Sequence, residues 1–311
     1  MLTMSHIKVF GHKSPDTDTT CCAIIWAWYL NTHASEKAVP YILGELNKET
    51  QFVLRTWGIA QPDVLDSVTS GDLVVIVDTN NPQELFENIN DTTILHIIDH
   101  HKLVGGLMTN GPQMVTLRPL ASTATVMYDL MGAHVETLPK DIAGLMLSCI
   151  LSDTLAFRSP TTTAHDTAVA QKLAAHVGVE VPIYAGQMFA AKSDVSDFSD
   201  SGLLHIDSKK FAVGSKNFRV SVVETTTPET VVARKEGIVT AIQQLLKDEK
   251  DVDDVLFFVI DILKEEATVF TYNASTSSVI AQSFEVPVAG DTTLLPGVVS
   301  RKKQIIPVLK V

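Results

Sequence analysis

Four polar stretches stand where apolar runs end, and each carries side chains able to bind a metal ion or move a proton. Ile94-Leu95-His96-Ile97-Ile98 runs into Asp99-His100-His101-Lys102. Ile7-Lys8-Val9-Phe10 leads through Gly11 to His12, with Asp16 and Asp18 closely following. Leu73-Val74-Val75-Ile76-Val77 stops at Asp78. The helical pattern of Asp141–Ser152, with Ile142, Leu145, Met146, Cys149 and Ile150 on one face, ends in Asp153. Three of them have a plainer reading: Asp18 or Thr19 as a helix cap, Asp78 as a cap after a strand, the paired histidines as incidental turn residues. Three potential ligands, His12, Asp16 and Asp18, within one short loop exceed what capping needs. A buried Asp at a strand end is costly unless neutralised, and an Asp at a helix C-terminus opposes the helix dipole.

His12, Asp16, Asp18, Asp78, His100 and Asp153 therefore form one inventory of imidazoles and carboxylates with no thiolate. Such donors suit Mn²⁺, Co²⁺ or Mg²⁺, with some tolerance of Zn²⁺. Four carboxylates in one pocket repel one another unless cations intervene. Two ions would neutralise them, with Asp78, on the straightest buried strand, as the bridge. Ions roughly 3.5–4 Å apart share a water and acidify it to hydroxide near neutral pH, a nucleophile for a phosphorus centre.

The elements that must bring these groups together read as an α/β chain. His6–Gly11 is a strand, followed by a polar loop and an apolar helix over Cys21–Leu30. Leu73–Val77 is a buried parallel strand. Ser122 or Thr123 starts a helix, as its cap or as the rim of an anion site. His165 and His176 read as satisfied surface histidines on a further helix. Ser- and Asp-rich Lys192–Asp200 marks an interdomain linker, placed at 192–198 between domains 1–191 and 199–311. Beyond it, short strands, a helix from Thr227-Pro228 and strands at Val255–Ile260 and Thr268–Tyr272 predict a smaller α+β domain with a mixed sheet. This domain carries Lys209 and Lys210 in a turn and the cluster Ser300-Arg301-Lys302-Lys303-Gln304 between apolar runs. An Arg beside lysines suits a multiply charged phosphate, against the plainer reading of a solvated basic loop.

The net charge of -12 over 311 residues argues against nucleic acid as a partner. Neither a membrane span nor a signal peptide is visible, so a cytoplasmic protein is expected. Cys21, Cys22 and Cys149 offer no disulfide framework and read as buried thiols.

His12-x-x-x-Asp16-x-Asp18, Asp78 at a strand end, Asp99-His100-His101 and Ser152-Asp153 resemble the motifs of the DHH phosphoesterase superfamily. The closing Ser300-Arg301-Lys302-Lys303-Gln304 resembles that of the family II inorganic pyrophosphatases, and the likeness runs from His6 to Val311. The resemblance implies hydrolysis of pyrophosphate to two phosphates by a hydroxide bridging two metals, in a cleft between a DHH domain and a DHHA2-like substrate-binding domain. It implies His12 and Asp16 on one ion, Asp18, His100 and Asp153 on the other, and Asp78 on both. His101 would touch substrate and pass a proton to the leaving phosphate, while Lys209, Arg301 and Lys302 bind substrate. It further implies two Mn²⁺ or Co²⁺ per subunit, additional Mg²⁺ with the substrate, and a homodimer. The nearest alternative is a superfamily phosphodiesterase or exopolyphosphatase acting on short oligonucleotides or polyphosphate, but the Gly-Gly-x-His type motif common among those relatives is absent. A non-catalytic metal or phosphate-binding module is the alternative of a different class.

Overall fold

Six short strands build the first sheet: β1 (Ile7–Phe10), β2 (Ala38–Ile42), β3 (Asp63–Val64), β4 (Leu73–Val77), β5 (Thr93–Asp99) and β6 (Met114–Leu117). They lie in the order β3-β2-β1-β4-β5-β6, and every neighbouring pair is parallel. The order reverses between β1 and β4, the position at which doubly wound sheets gather ligands beyond their carboxyl ends. The computed structural model describes residues 6–34, 36–214 and 216–310. The chain divides into two units, Met1–Lys192 and Ser193–Val311.

The first unit also holds α1 (Thr17–Tyr29), α2 (Lys48–Trp57), α3 (Thr123–Met131), α4 (Lys140–Asp153), α5 (Ala164–Val177) and α6 (Val181–Lys192). α1 is buried from Thr17 to Ala27 and packs against α4, which is itself buried from Ile142 to Ser152. Helices apolar all round must be wrapped in this way. Gly144 lets α4 accept the Trp57 ring, since a Cβ there would lie 2.2 Å from it. All three cysteines are free and buried, as their apolar surroundings predict.

In the second unit, β7 (Asp207–Val213), β8 (Lys216–Thr225), β9 (Asp254–Asp261), β10 (Glu266–Phe270) and β11 (Thr292–Pro296) form a mixed sheet in the order β11-β10-β9-β8-β7, with only β8 and β9 parallel. Its helices are α7 (Asp200–Leu203), α8 (Pro228–Val232), α9 (Lys235–Asp248) and α10 (Ala274–Phe284). β9 alternates between two cores. Leu256, Phe258 and Ile260 pack with Val279 and Ile280 of α10, and Val255, Phe257 and Val259 pack with Ile238 and Ile242 of α9.

Local expectations change in four places. α1 starts at Thr17 because Asp16, not Asp18 or Thr19, caps it: Asp16 Oδ1 accepts from the Thr19 N–H at 2.9 Å. The helix expected from Pro228 breaks after Val232, where Arg234 donates from Nε to Asp200 Oδ1 at 2.8 Å. Lys209 and Lys210 lie in β7 rather than in a turn, and the hairpin bends at Gly214, φ +60°. Arg301–Ile305 is a helical turn capped by Ser300 rather than an open loop. Among the described residues no helix is long and apolar enough to cross a membrane.

Candidate active site

The reversal of strand order puts His12 beyond β1, Asp78 beyond β4 and His100-His101 beyond β5. Gly11 makes the close approach possible, because a Cβ there would meet the Val77 carbonyl at 2.5 Å. Asp78 is itself left-handed, φ +59°, a conformation that a non-glycine residue holds only when its surroundings enforce it.

Two hydroxyls fix its carboxylate: Thr19 donates to Oδ2 at 2.6 Å and Thr123 donates to Oδ1 at 2.9 Å. The same oxygens face two imidazoles from opposite sides. His12 Nε2 lies 3.5 Å from Oδ2 and His100 Nε2 lies 3.5 Å from Oδ1. Both rings are oriented from behind by a carbonyl, His12 Nδ1 donating to Lys13 at 2.8 Å and His100 Nδ1 donating to Leu120 at 3.0 Å. A carbonyl only accepts, so Nδ1 carries the proton and Nε2 is the nitrogen turned to the carboxylates. The 3.5 Å gaps exceed a good N–H···O bond, whose length is about 2.7–3.2 Å.

Asp16 uses Oδ1 as a helix cap and turns Oδ2 to His12 Nε2, 3.6 Å away. Asp18 is buried at the N-termini of two helices. Besides its place in the first turn of α1, it accepts from the Thr123 N–H at 2.7 Å and the Ser122 hydroxyl at 2.8 Å. The predicted anion at the start of α3 is thus the chain's own carboxylate, and Ser122 also caps the helix. Asp153 ends α4, and its buried Oδ2 has no hydrogen-bond partner. After it, Leu155, Ala156 and Phe157 are left-handed in succession, at φ +48°, +50° and +71°. This turn folds Leu155 N–H onto the Ser152 carbonyl at 3.1 Å and Ala156 N–H onto Leu151 at 2.9 Å. The carbonyls that make a helix C-terminus hostile to an Asp are thereby satisfied.

Around Asp78 the electrostatics run one way. Burial, then the charge of Asp78, pushes the Asp18 carboxyl up to about 6. Burial, then Asp18, Asp78 and Asp16, pushes Asp153 well above the ordinary range. Burial would lower His12 but Asp16 and Asp78 raise it to about 11. Burial would likewise lower His100 but Asp78 and Asp18 raise it to about 9. Asp78 is held low, because the neighbouring His100 and His12 imidazoles and the Thr19 hydroxyl outweigh its burial. The cluster takes up positive charge, which protons supply in part and divalent cations supply more fully. His12, Asp16 and Asp78 form one set, and Asp18, His100 and Asp153 another, each with donor atoms within 4.8 Å of one another. Oxygen and imidazole donors, an orphaned carboxylate oxygen and back-oriented rings fit harder divalent ions.

His101 stands at the edge of this cluster, half-exposed, with Nδ1 donating to Asp99 Oδ1 at 2.9 Å. Asp99 raises the imidazole, and its own carboxyl stays low because donors from His101 and Asn80 outweigh burial. That bond engages Nδ1 and leaves Nε2 as the other ring nitrogen. Asn80 also accepts from Val104 N–H at 2.7 Å and donates to the Lys102 carbonyl at 3.0 Å, fixing the chain beyond the histidines. A cavity of about 390 Å³ opens over Asp16, Asp78, His100, His101 and Asp153.

In the second unit, Lys210 is bound to Asp251 at 2.8 Å and Glu249 at 3.1 Å, whereas Lys209, on the opposite face of β7, makes no ion pair among the described residues. Arg301 pairs with Asp207 at 2.7 Å, and its buried Nη1 has no hydrogen-bond partner. Gln304 clamps the preceding loop, accepting from Val299 N–H and donating to the Gly297 carbonyl. Lys302 is exposed.

The sequence offers Thr19 and Thr123 as helix caps rather than as partners of Asp78, offers Asp99 without a specific role, and gives no sign of Asn80 or of the Lys13 and Leu120 carbonyls. Hydroxyl residues beside the ligands are a usable signal, but a backbone carbonyl leaves none.

Both parts of the chain resemble known proteins. Residues 6–150 match the DHH family, N-terminal domain, and residues 186–311 match the DHHA2 domain. A Methanocaldococcus jannaschii protein named "Manganese-dependent inorganic pyrophosphatase" is 35% identical over 97% of each chain. A Bacillus licheniformis protein named "Probable manganese-dependent inorganic pyrophosphatase" is 37% identical over 98% of each. A solved structure of a candidate family II inorganic pyrophosphatase from Methanococcus jannaschii covers 97% of both chains at 34% identity and a TM-score of 0.59. With both domains matched and full-length relatives well above 30% identity, the chain belongs to the family II inorganic pyrophosphatases of the DHH superfamily.

Proposed function

We propose that this protein hydrolyses inorganic pyrophosphate to two phosphates with manganese as its metal. The observation that carries the reading is Asp78, a left-handed, fully buried carboxylate whose two oxygens face two back-oriented imidazoles amid three further carboxylates. His12 and Asp16 would hold one ion, Asp18, His100 and Asp153 the other, and Asp78 both. When bound, the ions supply Lewis acidity toward phosphoryl oxygens and acidify water.

The chain's own residues do the rest. Thr19 and Thr123 fix the Asp78 carboxylate, so little reorganisation accompanies the reaction. Asp99 holds His101 with Nε2 outward, to contact substrate and give a proton to the departing phosphate. Lys209, Arg301 and Lys302 bind substrate oxygens: Arg301 as a fork with a spare Nη1, the lysines as point charges. The engagement of Lys210 with Asp251 and Glu249 favours Lys209 as the substrate lysine.

The test is phosphate release after Mn²⁺ preincubation, measured in parallel on pyrophosphate, a dinucleotide and polyphosphate. Pyrophosphate should be turned over fastest by at least a hundredfold. Faster release from either other substrate would move the protein to a different branch of the superfamily.

The subunit is proposed to be cytoplasmic and to form a homodimer. The absence of a membrane-crossing helix among the described residues and the reduced thiols support the first. Edge strand β6, with exposed Met114 and Val115 and only β5 beside it, supports the second. A sedimentation mass of one chain would contradict it.

A further inference from the structure

Three of the four consecutive residues Leu120–Thr123 touch three of the proposed ligands. Leu120 takes the His100 Nδ1 proton on its carbonyl at 3.0 Å. Ser122 donates its hydroxyl to Asp18 Oδ1 at 2.8 Å, and Thr123 donates N–H to Asp18 Oδ2 at 2.7 Å and its hydroxyl to Asp78 Oδ1 at 2.9 Å. The one residue of the four without such a contact, Ala121, turns its N–H the other way and donates to Asp166 Oδ2 at 3.1 Å.

Asp166 is fully buried on α5 and belongs to none of the proposed ligand motifs. Its Oδ2 also accepts from the Thr163 N–H at 3.0 Å and the Thr163 hydroxyl at 2.5 Å, closing the capping box of α5. Its Oδ1 has no partner. A cap alone needs neither the complete burial of the carboxyl nor the contact to Ala121. Burying such a group is costly, so its retention asks for a further use.

We infer that Asp166 is a positioning residue of the metal centre: through Ala121 it pins Leu120–Thr123, and so sets where His100, Asp18 and Asp78 present their donor atoms. This rests on the reading of those three residues as metal ligands. Outer contacts of this kind change metal affinity by about 10–100-fold when removed.

The probe is Co²⁺ alone, followed by its visible spectrum and by titration of the purified protein. Wild type should bind Co²⁺. Asp166→Ala should bind it about tenfold more weakly with an altered spectrum. Asp166→Asn keeps an acceptor in place and should restore most of both. Thr163→Ala breaks the cap but spares the Ala121 contact, so it should lower the Tm while leaving spectrum and affinity as in wild type. Asp166→Glu displaces the accepting oxygen by about one carbon–carbon bond and carries the same test if the alanine variant does not fold. A folded Asp166→Ala or Asp166→Glu with wild-type affinity and spectrum would overturn the inference. Thr163→Ala matching Asp166→Ala in both readouts would overturn it too, by reducing the residue to a helix cap. Should wild type bind no Co²⁺, the metal reading itself would fall and take this inference with it.

Discussion

At the scale of single residues, the site depends on which atom of each side chain is left free. Carbonyls hold Nδ1 of His12 and His100, a cap occupies one oxygen of Asp16, and hydroxyls fix both oxygens of Asp78. A histidine outside the site follows different physics. His96, on β5, is packed edge-on against Trp26 and bonded to the Thr116 hydroxyl. Burial lowers it from 6.5 to about 4. Between those two values the unfolded chain binds a proton that the native chain does not, so stability falls as pH drops through the window. Below about 4 the native imidazole is protonated as well, and no further loss accrues from this residue. Urea unfolding at pH 7 and pH 4 should show wild type losing on the order of 1–2 kcal/mol more than His96→Gln. Parallel pH profiles would show that His96 contributes nothing to acid sensitivity.

At the scale of elements, the buried central strands of the first sheet were the most legible part, whereas the outer β2, β3 and β6 were not foreseen. β4 and β5 read directly because buried parallel strands are continuous apolar runs that end abruptly at polar ligands. The six acidic and imidazole residues of the cluster were legible for the same reason. What decides helix boundaries was not: whether Asp16 or Asp18 caps α1 depends on Asp18 being claimed by α3, a contact between residues far apart in sequence. Lys209 and Lys210 look like a solvated turn until β8 pairs with them. The left-handed run after Asp153 has no glycine to announce it, and tertiary contacts enforce it. That run yields a paired prediction at Ala156, φ +50°. Glycine there should relieve strain and hold or raise stability by up to about 1 kcal/mol, since left-handed backbone costs other residues about 1–2 kcal/mol each. Ala156→Val, β-branched, should lower the Tm and weaken metal binding. A valine variant as stable as the glycine one would mean the turn stores no strain.

At the scale of the whole molecule, two units each bury a core of their own, and the chain carries a net charge of -12. An acidic protein repels pyrophosphate at long range. That repulsion is screened beyond about 8 Å in physiological salt, so the proposed function leaves recognition to the ions and to the Arg and Lys contacts it assigns at short range. The central claim is therefore that this acidic chain holds a pair of divalent ions through Asp78. Its most direct test is Mn²⁺ stoichiometry by equilibrium dialysis on wild type and Asp78→Asn. Asparagine tolerates the left-handed backbone at φ +59°, so the variant should keep its fold. The account predicts two tightly held Mn²⁺ per wild-type chain, and loss of at least one of them, with most hydrolysis, in Asp78→Asn. Two ions retained at wild-type affinity by Asp78→Asn, or none held by wild type, would contradict it.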